Sequence, residues 1–320
     1  MKHMKKVFAL LLALGMVLAL SVTAFADFGG LHYTDDTSVV ITKLYRLEGE
    51  GQSPAETFTL QQIGSGVVKD GEAASAPALG AITGAAFPKG AATAAGAEGD
   101  IVVELPNYDR VGVYEYTLRE VAGTTAGVSY YGNDIKLVVT VINDDAGKLR
   151  IAAVHTENAG GEKSDIFPNT YAAGTLHLAK TVTGNLGDTT RYFKFTLSLT
   201  GESGKTYAES YAVSGGSYEG NPTSIKIGET AVFYLKHDET LSIANLPYGV
   251  SYTVEEDTPA DYTVTMRDNS GTMNAASVTA AFTNNKGGNP DTGIRLDSLP
   301  YIALLALVGA GIVLTKKRRG

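Results

Sequence analysis

The sequence predicts an all-β protein: two tandem β-sandwiches, preceded by an export signal and followed by an apolar transmembrane helix. Three observations carry this. From Thr37 to Asn285 the apolar residues alternate with polar ones in short runs rich in Val, Ile, Thr, Tyr and Phe, and no run has helical periodicity. The two halves of that span repeat one pattern of charged and polar residues. The long apolar runs lie at the two ends, each beside a cluster of basic residues. The chain has 320 residues, enough for two cores, and no cysteine. Disulfides, zinc–thiolate sites and thiol catalysis are therefore excluded.

Residues 1–26 read as a secretory signal. Lys2, Lys5 and Lys6 form the basic start, Val7 to Leu20 the apolar run, and Ala24-Phe25-Ala26 the small-residue cleavage site. Residues 27–172 form the first sandwich, of the immunoglobulin-like kind, with strands at Val39–Leu47, Tyr114–Val121 and Lys136–Ile142. Within it, Gly64 to Gly99 is dominated by Ala, Gly and Ser and reads as long loops and weak edge strands. Asn143-Asp144-Asp145-Ala146-Gly147 reads as a hairpin turn. A short joint near Tyr171–Gly174 leads into the second immunoglobulin-like sandwich, residues 173–286. Its strands include Phe193–Leu199, Ala231–Leu235, Tyr252–Glu256 and Val278–Thr283, and Asp268-Asn269-Ser270-Gly271 reads as a second hairpin turn.

Residues 287–320 hold, after Gly287 and Gly288, the pentapeptide Asn289-Pro290-Asp291-Thr292-Gly293, and continue through the apolar run Leu299 to Leu314 to Lys316-Lys317-Arg318-Arg319. Sixteen apolar residues are just short of a usual span, and the terminal cations would hold that end in the cytoplasm. A plain single-pass anchor fits this pattern. The order of pentapeptide, apolar run and basic tail also resembles the sorting signal of Gram-positive cell-wall proteins, with Asn289 where leucine is usual. That resemblance implies that a sortase attacks the carbonyl of Thr292 and releases Gly293 onward, after transient membrane retention. Loss of both ends removes eight of the 26 basic and one of the 34 acidic residues, leaving 18 against 33, a net charge of −15. A body so acidic repels nucleic acid and anionic membranes.

Side chains alternate faces along a strand, so parity decides which residues share an environment. Lys180 falls in line with Leu176, Leu178 and Val182, Glu256 with Val250, Tyr252 and Val254, and Asn284 with Val278, Ala280 and Phe282. In the first half Lys43 falls in line with Ile41 and Tyr45, Glu120 with Tyr116 and Leu118, and Asn169 with Phe167. Lys43 precedes Glu120 by 77 positions and Lys180 precedes Glu256 by 76. A lysine, a glutamate and an asparagine are thus expected on the core face of each sandwich. Burying such charges is costly unless they meet partners or change protonation.

One outcome is a buried ion pair with a hydrogen-bonded asparagine. The other is covalent. An apolar site disfavours the ammonium, so the lysine becomes a neutral amine able to attack the asparagine carboxamide. The glutamate, protonated, would hydrogen-bond the amide oxygen and shuttle protons to the departing ammonia. Glu120 and Glu256 are then catalytic once each, in autocatalytic crosslinking only, and Lys43–Asn169 and Lys180–Asn284 become isopeptide crosslinks.

The two triads resemble those of pilin isopeptide-linkage domains, and Thr37 to Lys286 resembles the two-domain major shaft pilins of Gram-positive bacteria. The likeness is densest from Gly112 to Val141, through Gly112-Val113-Tyr114, the glutamate strand and Gly127-Val128-Ser129-Tyr130. It implies a secreted subunit of a cell-wall-attached surface pilus whose partners are a sortase, neighbouring copies joined head to tail, and peptidoglycan or other pilins. It also implies an intersubunit acceptor lysine near the end of the first domain. Lys163, in Gly160-Gly161-Glu162-Lys163-Ser164-Asp165, is the candidate, with an ordinary solvated loop lysine as the alternative. The competing function is an individually anchored adhesin or accessory pilin that uses the same sandwiches as a stalk. Neither reading involves a cofactor or a resident metal. The five histidines are scattered, no hydrolase or phosphate-loop motif occurs, and the Asp-rich turns lack calcium-loop spacing, so a conventional enzyme is not expected.

Overall fold

A computed structural model describes residues 33–69 and 75–288. The export signal and residues 289–320, with Thr292 and Gly293, lie outside the described residues. The described chain is all-β, with no helix among its elements. It divides into two compact units, the break falling between Ala173 and Gly174.

The first unit packs two sheets face to face. Its opening strand, Ser38–Gly49, lies between Ala97–Glu104, antiparallel, and the first part of Ile166–Thr183, parallel. The facing sheet orders Leu149–Glu157, Ile135–Asn143, Gly112–Glu120 and Leu60–Gln62. Ile41, Tyr45, Ile101, Val103 and Phe167 from one sheet meet Tyr114, Tyr116, Leu118, Leu137 and Val139 from the other. The opening strand and Gly112–Glu120 show the period-two burial of a sheet with one face in a core.

Pro168 sits inside the closing strand, where a proline removes a ladder donor. At that position the strand pairs with the opening strand on one side and is joined by Val128–Ser129 on the other side only from Thr170 onward. The missing N–H therefore falls at an edge. The parity that places Asn169 with Phe167 is kept, and both are buried.

The Gly64–Gly99 segment forms the short strands Val67–Val68, Ile82–Thr83 and Ala85–Phe87, the last paired with Glu56–Phe58. It also contributes core. Ala85, Phe87 and Ala92 are buried, and Phe87 packs edge-on against Tyr45. Gly99, directly opposite Lys43 in the ladder, makes this packing fit: a Cβ there would lie 2.7 Å from the Phe87 ring.

The second unit repeats the plan. The remainder of the long strand, from Gly174 to Thr183, runs parallel to Ser277–Asn285, which in turn pairs with Thr263–Arg267. The facing sheet orders Thr230–Leu235, Phe193–Thr200, Ser251–Glu256 and Ser270–Thr272. Leu176, Leu178, Ala280 and Phe282 meet Phe195, Leu197, Phe233 and Val254 across the core. At Gly174 a Cβ would lie 2.2 Å from the Ala275 carbonyl oxygen, so only glycine fits there.

One turn differs from the sequence reading. Asn143–Gly147 does join a hairpin, with Asp144 Oδ1 accepting from the Ala146 and Lys148 backbone N–H groups. Asp268–Gly271 does not. The strands on either side of it pair in different sheets, Thr263–Arg267 with Ser277–Asn285 and Ser270–Thr272 with Ser251–Glu256. Asp268 takes a left-handed φ of 49° at this crossover. Turn chemistry signals a reversal of the chain, but not whether the next strand stays in the same sheet.

Candidate functional site

The site occurs twice and is built from three strands each time. In the first unit Lys43 stands in the opening strand, opposite Phe167 in the parallel closing strand, and Asn169 is two residues farther along. In the second unit Lys180 stands opposite Phe282, and Asn284 is again two residues farther along. Residues two apart on a strand share a face, so lysine and asparagine are diagonal neighbours pointing into the same core. The glutamate arrives from the facing sheet, at the last residue of Gly112–Glu120 or of Ser251–Glu256.

The geometry brings all three groups together in each unit. Lys43 Nζ donates to Glu120 Oε2, and Asn169 Nδ2 donates to Glu120 Oε1. Lys180 Nζ donates to Glu256 Oε1 at 2.7 Å, and Asn284 Nδ2 donates to that same oxygen at 2.8 Å. Asn169 Oδ1, Asn284 Oδ1 and Glu256 Oε2 are buried without a hydrogen-bond partner. Lys43, Asn169, Lys180 and Asn284 are at most 1% exposed, and the two glutamate side chains 0 and 1%.

Aromatic rings complete each enclosure. Lys43 Nζ lies 5.4 Å from the centroid of Phe58 and 5.7 Å from that of Tyr131. Lys180 Nζ lies 4.3 Å from Phe193 and 5.8 Å from Phe195. Burial pushes the ammonium of each lysine below the usual lysine range, and the adjacent glutamate only partly opposes this. The rings were not singled out in the sequence reading. Phe193 and Phe195 flank the site by the parity of their own strand, a signal that was present. Phe58 sits in a three-residue strand with no periodicity to mark it.

Lys163 lies elsewhere. It is exposed in a tight loop between Leu149–Glu157 and Ile166–Thr183 and forms an isolated bridge with Glu157. Asn158 Oδ1 shapes the loop by accepting from the Gly160 and Glu162 N–H groups at 2.9 and 3.1 Å. Among the described residues no carboxylate pairs with its ammonium, a property it shares with Lys89, Lys148 and Lys205. At the other end, Asn185 holds Gly288 by both backbone groups, donating to its carbonyl at 2.7 Å and accepting from its N–H at 3.0 Å. Among the described residues no group of three His, Asp or Glu could hold a metal ion.

Residues 41–172 match the family described as a Spy0128-like isopeptide containing domain, a span that includes Lys43, Glu120 and Asn169. Residues 174–286, with Lys180, Glu256 and Asn284, match a domain of unknown function (DUF7601). A pilin of Streptococcus pyogenes serotype M1 is 28% identical over 234 residues, covering 66% of this chain and 69% of the relative. Residues 41–172 thus carry the signature of the isopeptide containing domain, and over both domains the chain is similar to a Gram-positive pilin. The chain also resembles the crystal structure of the major pilin from Streptococcus pyogenes, with a TM-score of 0.52 and 23% identity over 79% of this chain and 99% of that one. That likeness carries the fold. The pilus tip adhesin Cpa of Streptococcus pyogenes is 32% identical over 143 residues, 42% of this chain but 20% of the adhesin. The pilin is a structural subunit of a cell-surface pilus and assembles with other pilin subunits.

Proposed function

We propose that this pilin is a sortase substrate that crosslinks itself once in each domain, through Lys43–Asn169 and Lys180–Asn284. The observation that carries this reading is the recurrence, in two units, of a buried lysine and asparagine at one diagonal register with a glutamate between them.

The chemistry follows from the enclosure. With its ammonium disfavoured, the lysine gives a proton to the glutamate and becomes a neutral amine. A half-turn of the carboxamide exchanges its nitrogen and oxygen, so that the protonated glutamate donates to Oδ1 and the carbonyl carbon becomes electrophilic. Nζ attacks that carbon and a tetrahedral adduct forms. The carboxyl group, acting as proton shuttle, takes a proton from Nζ and delivers one to Nδ2, which leaves as ammonia. A lysine amine and a carboxamide have become a secondary amide plus ammonia, and the glutamate keeps the proton it took from the lysine ammonium until the departing ammonia carries it away as ammonium. Closing a loop of roughly 100 residues contributes about 4–5 kcal/mol by restricting the unfolded chain.

The remaining steps concern segments beyond the described residues. The export signal, residues 1–26, is removed, and the apolar run after the pentapeptide retains the chain in the membrane until a sortase cleaves between Thr292 and Gly293. The body then comprises domains 27–172 and 173–286. The threonine passes to Lys163 of a neighbouring copy, or at the base of the fibre to peptidoglycan or another pilin. Strand direction supports a head-to-tail order. Within the first unit Ile166 lies beside Thr42, so Lys163 is at the end where the chain comes in. Within the second, Asn285 lies beside Thr183, so the chain leaves at the end away from Gly174.

The test is an intact mass of the recombinant body, residues 27–292. Loss of two ammonia molecules is expected, and the unmodified mass overturns the scheme. Glu120→Ala and Glu256→Ala should each restore one.

A further inference from the structure

We infer that the two crosslinks have different duties: in the assembled fibre Lys180–Asn284 carries tension, while Lys43–Asn169 lies outside the path of force. This rests on the reading of Lys163 and Thr292 as the points of linkage. It follows from where those points fall on the strands.

A subunit in a stretched fibre is pulled at the Lys163 side chain and at its C-terminal end. Tension follows the shortest taut covalent route between them. From Lys163 that route enters the closing strand three residues later and continues along one unbroken strand, Ile166–Thr183, through Asn169 to Lys180. At Asn169 the first crosslink offers a branch. Its other arm runs through Lys43 and back along residues 44–162 to Lys163, a long detour around six residues of extended backbone. The detour stays slack. The rest of the first domain hangs from the loaded strand by its ladder and core, and nothing pulls on its free N-terminal side.

At Lys180 the lengths are reversed. The backbone route to Asn284 is the detour, through residues 181–283, and the crosslink is the short arm. The parallel register makes the load unavoidable. Thr175 enters this domain beside Ser277, and Asn285 leaves it beside Thr183, so tension draws the two strands apart along their length. Without the crosslink only the ladder and the core would resist. With it, tension passes from the Lys180 side chain to Asn284 and out toward Thr292, and the other strands of the domain are spared. The first crosslink is left to protect its domain from heat and proteases.

Single-molecule pulling on the body, residues 27–288, separates the two duties. The chain has no cysteine, so Lys163→Cys supplies one attachment thiol, with the second handle fused after Gly288. The parent should not extend stepwise. Adding Glu256→Ala should release a step of about 35 nm, from the 103 residues between Lys180 and Asn284 at roughly 3.4 Å each. Adding Glu120→Ala should release none. The same Glu120→Ala body held by an N-terminal handle should release about 40 nm from residues 44–168. If either glutamate variant fails to fold, Asn169→Ala or Asn284→Ala removes the same bond and keeps the lysine–glutamate pair. A step of about 40 nm in Glu120→Ala pulled through position 163, or none in Glu256→Ala, overturns the inference. Tandem mass spectrometry of linked subunits tests the acceptor separately. Linkage at Lys89, Lys148 or Lys205 overturns the acceptor reading and this inference with it, whereas linkage at Lys163 leaves the pulling result to decide.

Discussion

The two domains reach one site by different supports. In the second, the aromatic wall around Lys180 comes from Phe193 and Phe195, neighbours on a single long strand that also pairs with the glutamate strand. In the first, the wall around Lys43 is assembled from Phe58 and Tyr131, with Phe87 from the Ala- and Gly-rich insertion bracing Phe58 from behind. The glutamates differ too. Glu120 divides its oxygens between lysine and asparagine, whereas one oxygen of Glu256 takes both donors. What the domains share is the register, with asparagine two residues beyond the lysine's partner on a parallel neighbour. The proposed chemistry therefore rests on strand register and a dry enclosure, and either domain supplies the enclosure from the residues it has.

The largest expected effects come from removing the glutamates. Glu120→Ala and Glu256→Ala should each lose about 4–5 kcal/mol as the loop constraint disappears, with a lysine left buried beside no acid. Chemical denaturation resolves the domains, and equal losses are expected. A loss in only one would break the equivalence of the sites. Next are the walls. Phe193→Ala and Phe58→Ala should each cost about 3–5 kcal/mol, since both rings are nearly or fully buried. Pulse-chase mass spectrometry should also show slower ammonia loss in the altered domain, because water reaches the lysine and restores its ammonium.

Gly99→Ala sharpens the contrast further. The new methyl meets Phe87 at 2.7 Å, and overpacking of this kind costs about 1–3 kcal/mol. It should lower the first domain's thermal midpoint and leave the second unchanged. The smallest effect is a pH dependence in uncrosslinked Asn169→Ala or Asn284→Ala. Burial lowers each lysine's folded pKa below its unfolded value, so between the two the unfolded chain binds more protons. Stability should then rise with pH across that interval, by at most about 1.4 kcal/mol per pH unit for each lysine, and level off above the unfolded pKa. Urea midpoints from neutral to alkaline pH measure it, and a fall over that range would show that the lysine is held as an ion.

Much of this was legible in the chain. Alternation marked the strands, and parity placed Lys43, Glu120, Lys180 and Glu256 on core faces because a one-residue change reverses a side chain's direction. Asn169 was harder to place, as Pro168 precedes it. The edge position that tolerates this proline is a property of the sheet and not of the segment. Phe58 and Phe87 were invisible for a similar reason. Three-residue strands carry no periodicity, and their burial depends on what lies across from them. Asp268–Gly271 misled because a turn reports only its own backbone.

By itself, the sequence determined the all-β class, the repeat and the six polar side chains that face the two cores, since local alternation and composition encode which faces are buried. Only the tertiary structure decided that opening and closing strands are parallel neighbours, that each asparagine lies one diagonal step from its lysine, and which rings exclude water there. These are relations between segments about a hundred residues apart, and they are fixed by pairing and packing energies that no local stretch of chain contains.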